Sequence, residues 1–570
     1  MAKRKPRILW MGEATFIKSG YGVYGHEVLS RLHKTGKYEI AELGGYGHFN
    51  DPAGKDLPWT YYGCMPDTPD QNAQYDSSLA SQWGQWRFEE ICLDFKPDIV
   101  IDVRDWWMLE FVSRSPFRDK FHWAIMPTID SAPQMETWLS TYIDADSVCA
   151  YSEYGRDVLI GETNGHVNFV DLASPAANYD YLKPVPDKKA HKTAMGFEDD
   201  VKIVGTIMRN QKRKLYPDLI LAFEMFMKDY PAAAKNTFLY LHTSYPDIGW
   251  DIPRLVRESG IGDRILCTYI CHDCGYVFPS FFHDAVQTCS KCGRPSARMP
   301  SGDHGASTQD LAAIINSFDV YVQYSICEGF GMPQVEAAAC GVPVMAVDYS
   351  AMSSVVRNLQ GTPLEVERMF REAETHAYRA LPRNQALADE LGRFLGKPEP
   401  LRMRAGRDTY IACRKNYHWD KTSKVWEKIV DGVELRPHTE TWDGPPRIIE
   451  PNLNIPDNIS LDDFVRFGVA HVWGEPTKVD SYVALRMIRD INYGEAISGY
   501  GGPYYSEDSL LIEKPKYRSF GKQDAVEALV ELGKTRNYWE QRRIGIIQEA
   551  EPLYITRVRE EAKRNGEPAA

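Results

Sequence analysis

Glu328-Gly329-Phe330-Gly331-Met332-Pro333-Gln334-Val335-Glu336, followed by Ala337-Ala338-Ala339-Cys340-Gly341-Val342-Pro343-Val344, is the stretch that decides how this chain folds. An apolar run at 319–323 leads into it and reads as a buried strand ending near Tyr324. Two glycines then make a tight turn, residues 333–339 read as a helix, and 342–347 as the next strand. Strand, Gly-rich turn, helix and strand in that order form one unit of a parallel α/β sheet. The first N–H groups of a helix opened by such a turn lack intrahelical partners and favour anionic oxygens. Two glutamates, Glu328 and Glu336, flank the turn eight positions apart. An isolated pair of this kind is more simply explained by a plain strand-turn-helix with solvated glutamates.

The same alternation extends in both directions. Residues 7–11, 98–103, 122–126 and 147–151 read as strands of a first unit, with a helix at 24–33. The pattern restarts at 201–207 (VKIVGTI), with strands at 237–242 and 264–270 and helices at 217–230 and 311–316. Two successive α/β units of this size predict two facing Rossmann-like domains, 1–190 and 191–440. Open α/β sheets bind ligands beyond the carboxyl ends of their strands, so the cleft between the domains is the expected site. A long helical stretch over 363–430 is expected to complete the second domain. Pro445, Pro446, Pro451 and Pro456 mark a semi-rigid linker at 441–457. A mainly helical extension follows at 458–570, interrupted by the aromatic, Gly-rich stretch at 498–505.

Composition narrows the class. With 570 residues the chain is too long for one core. Hydrophobic content of 43% with 25% charged residues is that of a globular protein. A formal net charge of -13 argues against general nucleic-acid binding, although a local basic cleft can hide in the average. No stretch approaches the roughly 20 apolar residues of a membrane span. The apolar run at 8–11 is shorter than a signal-peptide core, so a cytoplasmic location, in a bacterium or a virus-infected host, is expected.

The segment beginning at Glu328 resembles the donor-binding signature of the retaining GT-B glycosyltransferases of group 1, the E-x7-E type. The Glu, Gly-Phe-Gly, second Glu and Ala-Cys-Gly-x-Pro-Val of that signature all stand here. A second match is Val204-Gly205-Thr206-Ile207-Met208-Arg209-Asn210, followed by Lys212-Arg213-Lys214. The resemblance is strong over 201–350 and weaker across the rest of 7–435. It implies a GT-B fold and a nucleotide-sugar donor, used without a catalytic metal. It places Glu328 beside the donor sugar and Glu336 on the ribose, with Phe330, Gly331 and Met332 presenting backbone to sugar and phosphates. Arg209 and Lys214 would grip the diphosphate, where paired cations stabilise the charge that develops on the leaving group. Gly20 and Gly22, in the Gly-rich stretch 19–25, would approach the donor, though an ordinary tight turn reads the same way. Where the family often has a histidine, this chain offers Asp130, either to face the reacting centre or to cap the next helix. Retention needs no dedicated nucleophile if the leaving phosphate itself takes the acceptor's proton.

Cys271-x-x-Cys274 and Cys289-x-x-Cys292 form a pair of knuckles with 14 residues between them. Four thiolates so spaced suit one tetrahedral zinc, closed and therefore structural. The insertion, 271–300, follows the strand at 264–270 and is expected at the rim of the cleft. Lys291, Arg294 and Arg298 make it locally basic. It is either a loop staple or a contact for an acceptor or a protein.

Two enzymatic readings and one non-enzymatic reading follow. The first is a hexosyltransferase acting on a glycan, a lipid-linked glycan or a small molecule. The second is an enzyme of the same fold acting on hydroxymethylated bases of DNA, as viral base-modifying transferases do. The third is a non-catalytic scaffold, against which the intact glutamate pair argues.

Overall fold

The computed structural model describes residues 4–163, 165–282, 285–301, 304–443, 453–460, 464 and 521–549. The first sheet contains Arg7–Glu13 (β1), Glu39–His48 (β2), Thr60–Met65 (β3), Ile99–Asp102 (β4), His122–Ile125 (β5), Ser147–Ala150 (β6) and Phe169–Leu172 (β7). All seven run parallel, in the order β3-β2-β1-β4-β5-β6-β7. The middle of β1 and the whole of β4 are buried, as expected for strands covered by helices on both faces.

The second domain repeats the plan. Its sheet contains Lys202–Ile207 (β8), Thr237–His242 (β9), Ile265–Cys271 (β10), Val277–Phe281 (β11), Ala297–Arg298 (β12), Val320–Gln323 (β13), Val344–Val347 (β14) and Thr362–Leu364 (β15). The order β11-β10-β9-β8-β13-β14-β15 is parallel apart from β11 and β12, which pair antiparallel with β10. The cysteine insertion supplies both of these strands and so extends the edge of the sheet.

Two readings from sequence change here. The helix expected over 363–430 is interrupted at its start by β15 and by an antiparallel hairpin, Val366–Arg371 (β16) with Tyr378–Pro382 (β17). Residues 366–371 are mostly exposed and give a helix no apolar face to bury, so they pair as a ribbon, and helices resume only at Asn384–Leu395, Glu399–Asn416 and Trp419–Asp431. The Gly-rich stretch after β1 is not a loop either. Ser19 caps a helix spanning Gly20–Lys34, its hydroxyl accepting from the Gly22 amide at 3.0 Å.

The helix Trp419–Asp431 crosses back to the first domain. Its Trp426 is buried, donates from Nε1 to the Tyr24 hydroxyl at 2.8 Å, and meets the Trp10 ring edge-on. Trp442 then stacks on Phe117. The helix Lys522–Glu549 also returns to the first domain, where Arg543 bonds Asp119 at 3.0 Å. Residues 444–452 of the linker and the aromatic stretch at 498–505 lie outside the described residues. No helix among the described residues is long and apolar enough to cross a membrane.

Candidate active site in the interdomain cleft

β13 ends at Gln323, and five residues later Glu328 turns back under the strand ends. It is 5% exposed, forms an ion pair with Lys214, and accepts from Gln323 Nε2 at 2.8 Å. Its backbone amide donates to Ser350 Oγ at 2.9 Å. Burial pushes this carboxyl up, but the charges of Lys214 and Arg213 and the hydrogen bonds it accepts outweigh burial and hold it below the ordinary carboxylate range. Glu328 is thus a fixed anion at the mouth of the turn. Arg213 stands 3.9 Å from its other oxygen.

Gly331 adopts φ +84, a left-handed conformation that favours glycine, and so starts the helix Met332–Ala339. The amides of Gly329, Phe330 and Gly331 donate to no acceptor among the described residues. With Pro333 in the first helical turn contributing no N–H, these amides form the anion-facing end of the helix. Glu336 lies one turn further in. Its side chain has no hydrogen-bond or ion-pair partner among the described residues, and burial alone pushes its carboxyl up to about 7.

The first domain meets this turn closely. A Cβ on Gly329 would lie 2.3 Å from Thr128 Cγ2, so no side chain fits between the two domains there. Gly20 approaches the Met332 sulfur, which would lie 3.8 Å from its Cβ. Gly22 is small for a local reason, because a Cβ there would strike the Ile17 carbonyl at 2.2 Å. Asp130 accepts from Arg379 Nη1 at 2.8 Å and from the Cys327 thiol at 3.3 Å. Arg379 comes from β17 and also bonds Glu372 at 2.6 Å. Asp130 is therefore neither a helix cap nor an isolated carboxylate, but the first domain's half of an interdomain ion pair.

The structure brings together Gly20, Asp130, Lys214, Glu328, Phe330, Gly331 and Met332. Arg209 sits further out, 63% exposed, and bonds Asp247 at 3.0 Å. A surface pair of this kind is weak and yields easily to a stronger anion. Sequence reading missed Glu13, Asp105 and Arg379, and it noted Arg213 only as an extra cation beside Lys214. Asp105 closes the β4 unit two residues past the DIVIDV run, accepts from the Tyr21 hydroxyl at 2.9 Å, and is lifted by burial to about 6. Its position at the carboxyl end of a buried strand was the available signal. Arg379 had none, because its partner is 249 residues away.

The four cysteine sulfurs lie within 4.8 Å of one another, Cys271 to Cys292 at 3.6 Å and Cys274 to Cys289 at 3.8 Å. A tetrahedron of sulfurs about 2.3 Å from a central ion has edges of about 3.8 Å. The donor set therefore fits one thiophilic cation, and these separations exclude disulfides. Cys271 ends β10 at the same carboxyl edge of the sheet from which Arg209 and Glu328 emerge.

Residues 304–377 match the family model described as glycosyl transferases group 1. Over 133 residues the chain is 32% identical to the MMP alpha-(1->4)-mannosyltransferase of Mycolicibacterium hassiacum, covering 23% of this chain and 29% of that protein. Over 215 residues it is 23% identical to a D-inositol 3-phosphate glycosyltransferase of a Mycobacterium species, covering 38% and 40%. The chain thus spans well under half the length of these curated relatives. Among solved structures, sucrose-phosphate synthase from Thermosynechococcus elongatus superposes with a TM-score of 0.53 at 16% identity, over 75% of this chain and 98% of that one. Anabaena Alr3699/HepE, in complex with UDP and glucose, gives 0.50 at 13%, over 75% and 99%. These likenesses show the fold, two facing Rossmann-like domains of the GT-B type.

Proposed function

We propose that this chain is a retaining glycosyltransferase that moves a hexosyl group from a nucleotide-sugar to an acceptor hydroxyl in the cleft. The observation that carries this reading is the pair Glu328 and Glu336 on either side of an amide-lined helix start. One carboxylate is locked in its charged form and the other is left without a partner. Glu336 would take the ribose hydroxyls, and the amides of residues 329–331 the diphosphate. Arg209, released from Asp247, and Lys214 would neutralise the charge growing on the leaving phosphate. Glu328 would hold the transferred sugar and bear on the positive charge at its anomeric carbon. The leaving phosphate, on the same face as the incoming hydroxyl, would take its proton, which yields retention without a covalent intermediate. Asp130, tied to Arg379, would orient the first domain's loop rather than react.

The cysteine cluster would hold a structural zinc with no open coordination position, so it would contribute stability and no chemistry. Nothing among the relatives favours a DNA base as acceptor. The test follows donor consumption by proton NMR. Nucleoside diphosphate release is expected, with the sugar first appearing in the donor's own anomeric configuration. First appearance of the opposite anomer would exclude the retaining mechanism.

A further inference from the structure

The face of the cleft contributed by the first domain has its own chemistry, distinct from that of the donor side. β2 ends in Gly44-Gly45-Tyr46-Gly47, and Tyr46 takes φ +62, a conformation costly for a bulky aromatic residue. Its ring is 49% exposed and stands edge-on to Trp83, with ring centroids 5.2 Å apart. Tyr46 follows Gly45, which pairs with Glu13 of β1, at the carboxyl edge of the sheet that opens on the cleft. Two residues beyond Asp105, Trp107 is also 49% exposed and braced by Trp138 at 6.4 Å. Trp138 in turn stacks on Trp106 at 5.5 Å.

The charged groups on this face are mainly acids. Glu13 ends β1 and accepts from Ser19, Asp105 follows β4, and Asp130 follows β5. Arg104 is buried and committed to Asp102 through two hydrogen bonds at 2.6 and 2.7 Å. Lys18 is the exposed cation of the segment after β1. Arg209, Arg213 and Lys214 belong to the opposite domain, where Arg209 bonds Asp247 and Lys214 pairs with Glu328, while the charges of Arg209 and Arg213 also reach Glu13 and Asp105 across the cleft.

We propose that this face is an acceptor subsite for a neutral carbohydrate, seated on Tyr46 and Trp107 with its hydroxyls donating to Glu13 and Asp105. The inference rests on the transferase reading and names the acceptor class for it. Sugar rings present apolar C–H faces that pack on exposed aromatic rings, and hydroxyls that carboxylates accept from. A phosphorylated sugar or a nucleic acid would bring negative charge against Glu13 and Asp105, and its phosphates would find few cations on this face.

The test uses the full chain on an array carrying neutral, phosphorylated and sialylated oligosaccharides, with hydroxymethylated single-stranded DNA as a further probe. Tyr46→Asn and Trp107→Ala are run beside the wild type. Both positions are exposed, and Asn tolerates the left-handed conformation at 46. The expected result is retention of neutral glycans, weakened about tenfold in each variant. Preference for phosphorylated or sialylated glycans or for DNA, no glycan signal, or neutral binding unchanged in both variants would overturn the proposal. Calorimetric titration of the same preparations with UDP-, GDP-, ADP- and dTDP-sugars separates the two readings. Glycan binding without any donor heat would leave the subsite standing and remove the transferase reading, while donor heat without neutral-glycan binding would do the reverse.

Discussion

In the proposed role the Glu336 carboxyl, lifted by burial to about 7 and with nothing to accept from among the described residues, would make donor binding depend on pH. Two ribose hydroxyls donating to the carboxylate favour its charged form, so the bound pKa lies below the unbound one. The sign follows. Binding releases a proton below pH 7, donor affinity rises with pH up to about 7, and it is flat above. Between pH 6 and pH 8 the donor Kd should fall about tenfold, and Glu336→Gln should abolish that dependence. A wild-type Kd constant across this interval would contradict the role given to Glu336. Glu328 is already ionised by its cations, so its removal should act on turnover instead. Glu328→Gln should lower kcat by about 100-fold or more with a smaller change in donor affinity. A steady-state comparison of kcat and donor Kd checks this.

The cysteine insertion and the crossing helix each allow a direct check. Metal analysis of purified protein should give one zinc per chain, and Cys289→Ser should lose it and lower Tm by on the order of 5 °C. Full zinc retention in that variant would contradict a four-thiolate site. Trp426 joins Trp10 and Tyr24 through a wholly buried indole, and Trp426→Ala should destabilise the chain by about 3–5 kcal/mol in denaturant unfolding. Much of this was legible in the sequence. The strands at 98–103 and 201–207 are short apolar runs between helical patterns, and the cysteine spacing speaks for itself. The hairpin β16–β17 was not legible, because residues 366–371 are mostly exposed and mix charge with apolar side chains at no clear period. Nor was the helix start at Gly20. Glycines read locally as a loop, whereas here Gly22 and Gly25 are small because Ile17 and Trp10 press against them.

How the two domains face each other depends on contacts that no local pattern announces. Arg379 reaches from β17 to Asp130, Thr128 closes over Gly329, and Trp426 returns to Tyr24. Arg379 is 7% exposed and serves Asp130 and Glu372 together, so its removal leaves two carboxylates without their cation. Arg379→Met should cost about 2 kcal/mol of stability, widen the cleft in solution scattering and lower turnover. An unchanged scattering profile would show that the pair does not set the spacing of the domains. The claim on which all of this depends is that the cleft binds a nucleotide-sugar through Glu336 and the amides beside it. Isothermal titration of the wild type and of Glu336→Ala with UDP-, GDP-, ADP- and dTDP-sugars tests it most directly. One donor class should bind the wild type and be lost in the variant; equal binding to both proteins, or to neither, would contradict the account.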